Sequence, residues 1–415
     1  MNPIYQSLLG LIIFLSIAWL MSEHREKVNY TFIVKGILIQ ILIAVLLLKV
    51  PFLKDMFLSL NKLVLALEKS TVAGTSVVFG YLGGASLPYV ETMPGASFIL
   101  AFRALPLLIV ISALSALLFY WKVLPKIVHF ISLILQKVMN VGGAEGVGLS
   151  ANIFVGMVEA PVLIRPYLNK MTRSEIFSLM TCGMATIAGT VMILYASILS
   201  TIIPDALGHL LIASIISAPA AITIAKIMIP ETNNVTAGNI AINSDSVSSM
   251  DAITNGTMQG VQLYLNIVAM LISLVAIVHF VNIFLGIFPN TGGEPITLQR
   301  LLGYMMSPIV WLMGIPWSEA SVAGALMGSK TILNEFIAYM DLSHLPDDAL
   351  RHKSRIIMTY ALCGFANPGS LGIMIGGLGT MATERKQEIV ALGFRSIIAG
   401  TLATCMTGAV VGLII

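Results

Sequence analysis

Charge is what this 415-residue chain has least of. Only 10% of its residues are Asp, Glu, Lys or Arg, against about 25% in a soluble domain. Hydrophobic residues make up 57%, and mean hydropathy is +0.93. That balance excludes a soluble globular fold and implies an integral membrane protein, because apolar runs of the ~20 residues needed to cross a bilayer recur from end to end. A net charge of +3 without a basic cluster argues against nucleic acid as a partner. The three cysteines, Cys182, Cys363 and Cys405, lie in apolar segments, form no CxxC pair and imply no disulfide framework. The six histidines are scattered without metal-ligand spacing. The glycines of GGLGTM (376–381) lack the Lys-Ser/Thr of a phosphate loop and suit close helix packing. With no Ser/His/Asp constellation either, an enzyme is not expected. The N-terminal run lacks a basic n-region and a clear cleavage site. Its charges follow at His24, Arg25 and Lys27, which predicts an uncleaved first helix with its N-terminus outside.

What is present is an all-α, multi-pass pattern of eight spans. They fall at about 6–22, 30–50, 97–121, 174–200, 206–228, 258–288, 355–381 and 388–414. Both ends then lie on one face. Lys122, Lys126, Lys170, Arg173, Lys226, Arg385 and Lys386 fall inside; Lys54, Arg351 and Lys353 fall outside, so the positive-inside bias supports this orientation only in part. Residues 51–70 and 122–139 are amphipathic and predict helices lying at the interface. Residues 230–255 are the longest polar linker and divide the chain in two.

Two stretches, 143–168 and 299–338, are apolar but broken by Gly, Pro and Glu. Re-entrant hairpins, buried in protein or lining water, tolerate such breaks. The halves echo each other. VEAPV is matched by SEASV, and further on Cys182-Gly183-Met184-Ala185-Thr186 lines up with Cys363-Gly364-Phe365-Ala366-Asn367. Each half reads as a broken hairpin, a Gly-interrupted helix and a further span. Paired interruptions of this kind point to a transporter whose site lies at the repeat interface near the midplane.

Glu159, Arg165, Glu319, Glu335, Arg103 and Arg395 all fall in or beside apolar segments, where a charge is expensive. Pairing as structural salt bridges is one reading. The other concerns the hairpin carboxylates: beside them, non-helical backbone leaves N–H and C=O groups free. Together with Asn367, Thr186 and Ser370 these suit a polar solute and a cation.

The residues resemble the concentrative nucleoside transporter family from about 1 to 415. The resemblance is carried by GTSVVFG (74–80), AFRALP (101–106), ANIFVG (151–156), EAPVLIRPYL (159–168) and MTRSE (171–175). PWSEASVAG (316–324), KTILNEFIAY (330–339) and CGFANPGSLGI (363–373) complete it. The resemblance implies a homotrimer of eight-helix protomers in the bilayer, with three interfacial helices and two opposed re-entrant hairpins in an inverted repeat. It implies an elevator mechanism, in which a transport domain moves across a fixed scaffold. The units are then 1–96 (first helices and first interfacial helix), 97–142 (scaffold helix and second interfacial helix) and 143–229 (first transport repeat). They continue with 230–298 (linker and long scaffold helix) and 299–415 (second transport repeat). By motif position Glu335, Asn367 and Ser370 would hold the ribose hydroxyls, since a carboxylate accepts both donors of a vicinal diol. Glu159 would face the nucleobase, and Phe365 would pack against the ligand or belong to the core. The coupling cation, Na⁺, would take the carbonyls of Asn152, Val155, Thr186 and Ile187 and the Thr186 hydroxyl. No other cofactor is implied.

The chain departs from the family at Met157-Val158, where a polar pair, commonly Gln-Thr or Gln-Ser, usually precedes the glutamate. Discrimination built on hydrogen bonds is large, so this departure leaves the sugar reading in place and the base preference open. A second departure, Pro368-Gly369, would shift the break in the seventh helix. The leading expectation is a cation-coupled nucleoside symporter in the inner membrane of a bacterium, a host suggested by the lack of a long N-terminal extension. Protonation of Glu159 is the alternative coupling, and another ribose-bearing or polar solute the alternative cargo. A channel or intramembrane enzyme leaves the matched glutamates unexplained.

Overall fold

The computed structural model describes residues 3–91, 97–200, 202–236, 246–290 and 295–415, and the long elements among them are all helices. The chain opens with α1 (Pro3–Leu20) and α2 (Tyr30–Lys49). Both are apolar around most of their circumference and show much of it outward, as spans facing lipid do. Asn29 starts α2 by accepting from Phe32 N at 3.1 Å. Pro51 at the first helical position then turns the chain into α3 (Pro51–Phe79), which ends at Gly80 with φ +59°. The interfacial segment expected at 51–70 therefore runs nine residues further.

The third expected span divides into α4 (Leu100–Arg103) and α5 (Leu107–Tyr120), because Pro106 has no N–H to give the helix. The amphipathic α6 (Val123–Met139) is bracketed by left-handed corners at Lys122 and Asn140, with φ 61° and 47°. The polar linker is shorter than expected. Ser248 caps a helix by accepting from Asp251 N at 3.1 Å, and α12 (Ser249–Leu285) runs from there; residues 237–245 of the linker lie outside the described ones. At 1.5 Å per residue α12 is about 55 Å long, well beyond the ~30 Å hydrocarbon core.

Between linker and α6 stand α7 (Gly143–Asn152), α8 (Glu159–Leu163), α9 (Arg173–Ala185), α10 (Gly189–Leu199) and α11 (Ala206–Met228). After α12 come α13 (Leu298–Leu312), α14 (Trp317–Ile332), α15 (Glu335–His344), α16 (His352–Leu362), α17 (Pro368–Met381) and α18 (Lys386–Ile414). The order α7/α8, α9/α10, α11 is repeated by α14/α15, α16/α17, α18: a broken hairpin, a broken helix, an unbroken span.

Seven of the eight expected spans lie on helices or broken helix pairs long and apolar enough to cross a membrane. The remaining one, 355–381, breaks at residues 363–367, where an interrupted helix is expected, as 174–200 breaks at residues 186–188. Two expectations need correction. The stretch 299–338 holds more than a hairpin. Its first part is the amphipathic α13, which meets α14 at a bend of 117°. VEAPV and SEASV are also not structural equivalents. Glu319 sits in the first turn of α14, as Glu145 does in α7, while Glu159 and Glu335 each open the second helix of a hairpin.

The hairpins enter from opposite faces. At the root of the first, Lys226 Nζ lies 2.9 Å from Glu145 Oε1, and Arg173 Nη2 lies 2.9 Å from Glu23, just past the end of α1. Arg395 also pairs with Glu23. At the root of the second, Arg351 pairs with Glu319 at 3.0 Å, and Gln6, at the start of α1, donates to Ile315 O at 2.8 Å. One helix thus touches one root at each of its ends.

The Arg173 hydrogen bond, against partial burial and with the charges of Arg173 and Arg395, holds the Glu23 carboxyl below the usual glutamate range. A carboxylate lowered in the folded state adds stability above its unfolded pKa, about 4.3, and that stability is lost as pH falls through the folded value. The melting temperature should therefore drop on acidification below about pH 4, and Glu23→Gln should flatten that drop. An unchanged acid slope in the variant would remove Glu23 as its source.

Long α12 packs on α5 through Gly256 and Gly260. A Cβ at these positions would stand 2.6 Å from Ser112 O and 2.7 Å from Ile109 Cα. Small residues four apart let two membrane helices approach this closely. Gly260→Leu should overpack the pair by about 1–3 kcal/mol, read as a melting temperature lower by several degrees. Gly74→Leu, where a Cβ meets open space, is the control that should show little change.

Candidate functional site

The centre of the molecule is where two hairpin tips meet two helix breaks. Asn334 caps α15 by accepting from Ile337 N at 2.9 Å, which places Glu335 at the first helical position with 4% of its surface exposed. A carboxylate there faces the positive end of the helix dipole. Tyr195 Oη donates to Glu335 Oε1 at 2.7 Å, and Asn367 Nδ2 donates to Oε2 at 3.0 Å. Asn367 Oδ1 in turn accepts from Ser370 N at 2.8 Å and caps α17. That cap dictates which way the amide points, so its NH₂ must face the glutamate. Ser370 is buried and Phe365 half-buried at the same break.

The structure thus joins Glu335, Asn367 and Ser370, and adds Tyr195, which sequence reasoning missed. A tyrosine in an apolar span carries no signal of its own. Here its ring is held against Phe336 and Tyr339, with centroids 6.0 and 5.1 Å apart.

The first hairpin turns at Gly156, whose φ of +117° suits glycine. A Cβ there would meet Glu159 Oε2 at 2.8 Å and Ala188 Cβ at 2.9 Å. Glu159 opens α8 with its side chain exposed, and among the described residues no hydrogen bond joins it to the Glu335 group. Met157 and Val158 use two glycines as seats. A Cβ at Gly183 of α9 would lie 2.9 Å from Met157 Cβ, and one at Gly377 of α17 would lie 3.2 Å from Val158 Cγ1. Met157 is buried, Val158 half-buried. The apolar pair therefore docks the hairpin tip on both broken helices.

The two helix breaks themselves touch. A Cβ at Gly364 would stand 2.7 Å from Met184 O. Beside this contact lie Asn152, Val155, Thr186 and Ile187. Thr186 Oγ1 is 3.3 Å from Asn152 O and 2.9 Å from Cys182 O. Among the described residues the carbonyls of Val155, Thr186 and Ile187 accept no backbone hydrogen bond. Asn152 Oδ1 is buried without a partner, while its Nδ2 donates to Leu179 O at 3.4 Å. Unwound backbone with unengaged carbonyls and a hydroxyl is a donor set that fits Na⁺.

The other charges expected in oil lie elsewhere. Arg165 is exposed, Arg395 pairs with Glu23, Glu319 with Arg351, and Arg103 Nη2 donates to Tyr81 O at 3.4 Å. One charge was overlooked. Lys330 is fully buried, and its Nζ donates to Ala361 O at 2.8 Å and Thr404 Oγ1 at 2.9 Å. A lysine inside an apolar run was the available signal.

The chain is similar to known proteins along its whole length. Family models described as Na⁺ dependent nucleoside transporter C-terminus and N-terminus match residues 209–412 and 9–82, and one described as nucleoside recognition matches 101–202. The nucleoside permease NupC of Helicobacter pylori is 36% identical over 415 residues, covering 99% of this chain and 97% of that protein. Solute carrier family 28 member 3 of Homo sapiens is 35% identical over 424 residues, covering 98% of this chain and 59% of that one. A structure of CNTnw in an inward-facing substrate-bound state matches with a TM-score of 0.90 at 34% identity, covering 99% of this chain and 98% of that one. A CNTnw variant in an outward-facing state matches with a TM-score of 0.91 at 34% identity, covering 99% and 97%. The chain belongs to the concentrative nucleoside transporter family.

Proposed function

We propose that the protein imports nucleosides together with Na⁺ across the inner membrane of a bacterium, by an elevator form of alternating access. The observation that carries the reading is the Glu335–Asn367–Tyr195 group, at a hairpin tip and a helix break. Glu335 and Asn367 hold the two ribose hydroxyls, with Ser370 beside them and Phe365 against the ligand. Glu159 meets the base. The cation sits among the Asn152, Val155, Thr186 and Ile187 carbonyls and the Thr186 hydroxyl, next to the same break. Similarity to structures of one relative in inward- and outward-facing states supports alternating access.

The closely packed α5–α12 pair serves as the fixed scaffold of a homotrimer. The repeats 143–229 and 299–415 travel against it, and the face bearing Glu23 is the inner one. With Met157 and Val158 seated on glycines, Glu159 is left as the polar contact to the base, so discrimination between bases should be weak.

The test is uptake of labelled uridine, cytidine, adenosine and inosine into proteoliposomes, with and without an inward Na⁺ gradient. Sodium-driven uptake of several of them is expected. Uptake indifferent to both Na⁺ and pH gradients would sink the coupling, a response to the pH gradient alone would move it to Glu159, and no uptake would redirect the search to other polar solutes.

A further inference from the structure

Among the described residues Lys330 is a fully buried cation near the centre that the proposed mechanism does not use. Burying an ammonium is strongly unfavourable unless an opposite charge compensates it, and its two partners, Ala361 O and Thr404 Oγ1, are neutral. Cys405 of α18 and Cys363 of the second helix break are near it, and Glu335, five residues further on, is the carboxylate near enough for its charge to act on the ammonium. Tyr195, Asn367 and Lys330 are what face Glu335 in turn. Lysine and glutamate are five residues apart, on opposite sides of the α14–α15 break. Five residues before Glu159, the corresponding glutamate of the first hairpin, stands Phe154.

We infer that Lys330 is a positioning residue for substrate: a buried counter-charge that keeps Glu335 anionic without occupying its oxygens. An ion pair in contact would fill the carboxylate's acceptor sites. A cation held back by Ala361 and Thr404 balances the charge and leaves both oxygens to neutral donors, which a diol can replace. The same ammonium ties α14 to the end of α16 and to α18, so the tip carrying Glu335 and the break carrying Asn367 keep their spacing.

The inference rests on Glu335 holding the ribose, and the experiment separates the two. Binding of uridine and of 2′,3′-dideoxyuridine is measured on the purified full chain, for the native protein, Lys330→Arg, Lys330→Met and Lys330→Gln. The native protein should prefer uridine strongly. Lys330→Met and Lys330→Gln should each cut that preference by about tenfold or more, while Lys330→Arg retains most of it. Lys330→Gln keeps a donor for Ala361 or Thr404 and serves if the methionine variant does not fold. A merely structural role would lower the amount of active protein and leave the ratio of the two ligands unchanged; native discrimination in Lys330→Gln would therefore overturn the inference. No discrimination by the native protein would overturn the ribose reading instead.

Discussion

Glu335→Gln is expected to lower nucleoside uptake by about 100-fold or more, with protein still present in the membrane. Each carboxylate oxygen accepts one hydrogen bond, from Tyr195 at 2.7 Å and from Asn367 at 3.0 Å. A vicinal diol would bring two donors to the same two oxygens. Hydrogen bonds to a charged acceptor are worth about 1.5–3 kcal/mol each, and every 1.4 kcal/mol is tenfold in affinity. Glutamine offers one acceptor in place of two and carries no charge, so the diol meets one neutral acceptor where it had two charged ones. Tyr195→Phe should be much milder, since it removes a donor that the substrate would displace. Initial uptake rates normalised to protein in the membrane decide the matter. A glutamine variant that transports within a factor of about three of the native protein, under 1 kcal/mol, would show that the ribose is held elsewhere.

The second large effect is on the cation. Thr186→Val keeps the shape of the side chain and deletes the hydroxyl that lies 3.3 Å from Asn152 O and 2.9 Å from Cys182 O. The hydroxyl can donate to Cys182 O while its lone pairs face a cation bound by the neighbouring carbonyls. Losing one of about five oxygen ligands should raise the Na⁺ concentration for half-maximal uptake by about tenfold, the equivalent of one charge-assisted contact. Maximal uptake at saturating Na⁺ should survive. The measurement is nucleoside uptake across a Na⁺ titration, at fixed pH and fixed nucleoside. An unaltered sodium response would remove Thr186 from the site, and a response that disappears while a pH-driven one persists would indicate proton coupling instead.

Legibility in the sequence followed the physics of the bilayer. Apolar runs of about 20 residues are imposed by hydrocarbon thickness, so seven spans fall where expected. Glycine, proline and glutamate inside such runs mark backbone that cannot stay helical. They located the first hairpin and the Thr186 and Asn367 breaks, and with them the candidate cation and ribose groups. The extra helix α13 escaped because an amphipathic helix lying across a hairpin has the same composition as one arm of it. The false match of VEAPV with SEASV came from comparing letters; equivalence in an inverted repeat is set by which turn of which helix a residue occupies. Glu319 belongs with Glu145, and Glu335 with Glu159.

By itself, then, the sequence determined membrane class, seven of the spans, the twofold repeat and the breaks at Thr186 and Asn367, because solvent and backbone chemistry leave their mark locally. Only the tertiary structure decided which buried polar groups meet. Tyr195 and Glu335 are 140 residues apart and share a hydrogen bond; Lys330 reaches Thr404 across 74; Met157 and Val158 found their places on glycines of two different helices. Distance along the chain says nothing about such contacts. They exist because a buried donor or charge in a medium without water must find its partner wherever the packing brings one.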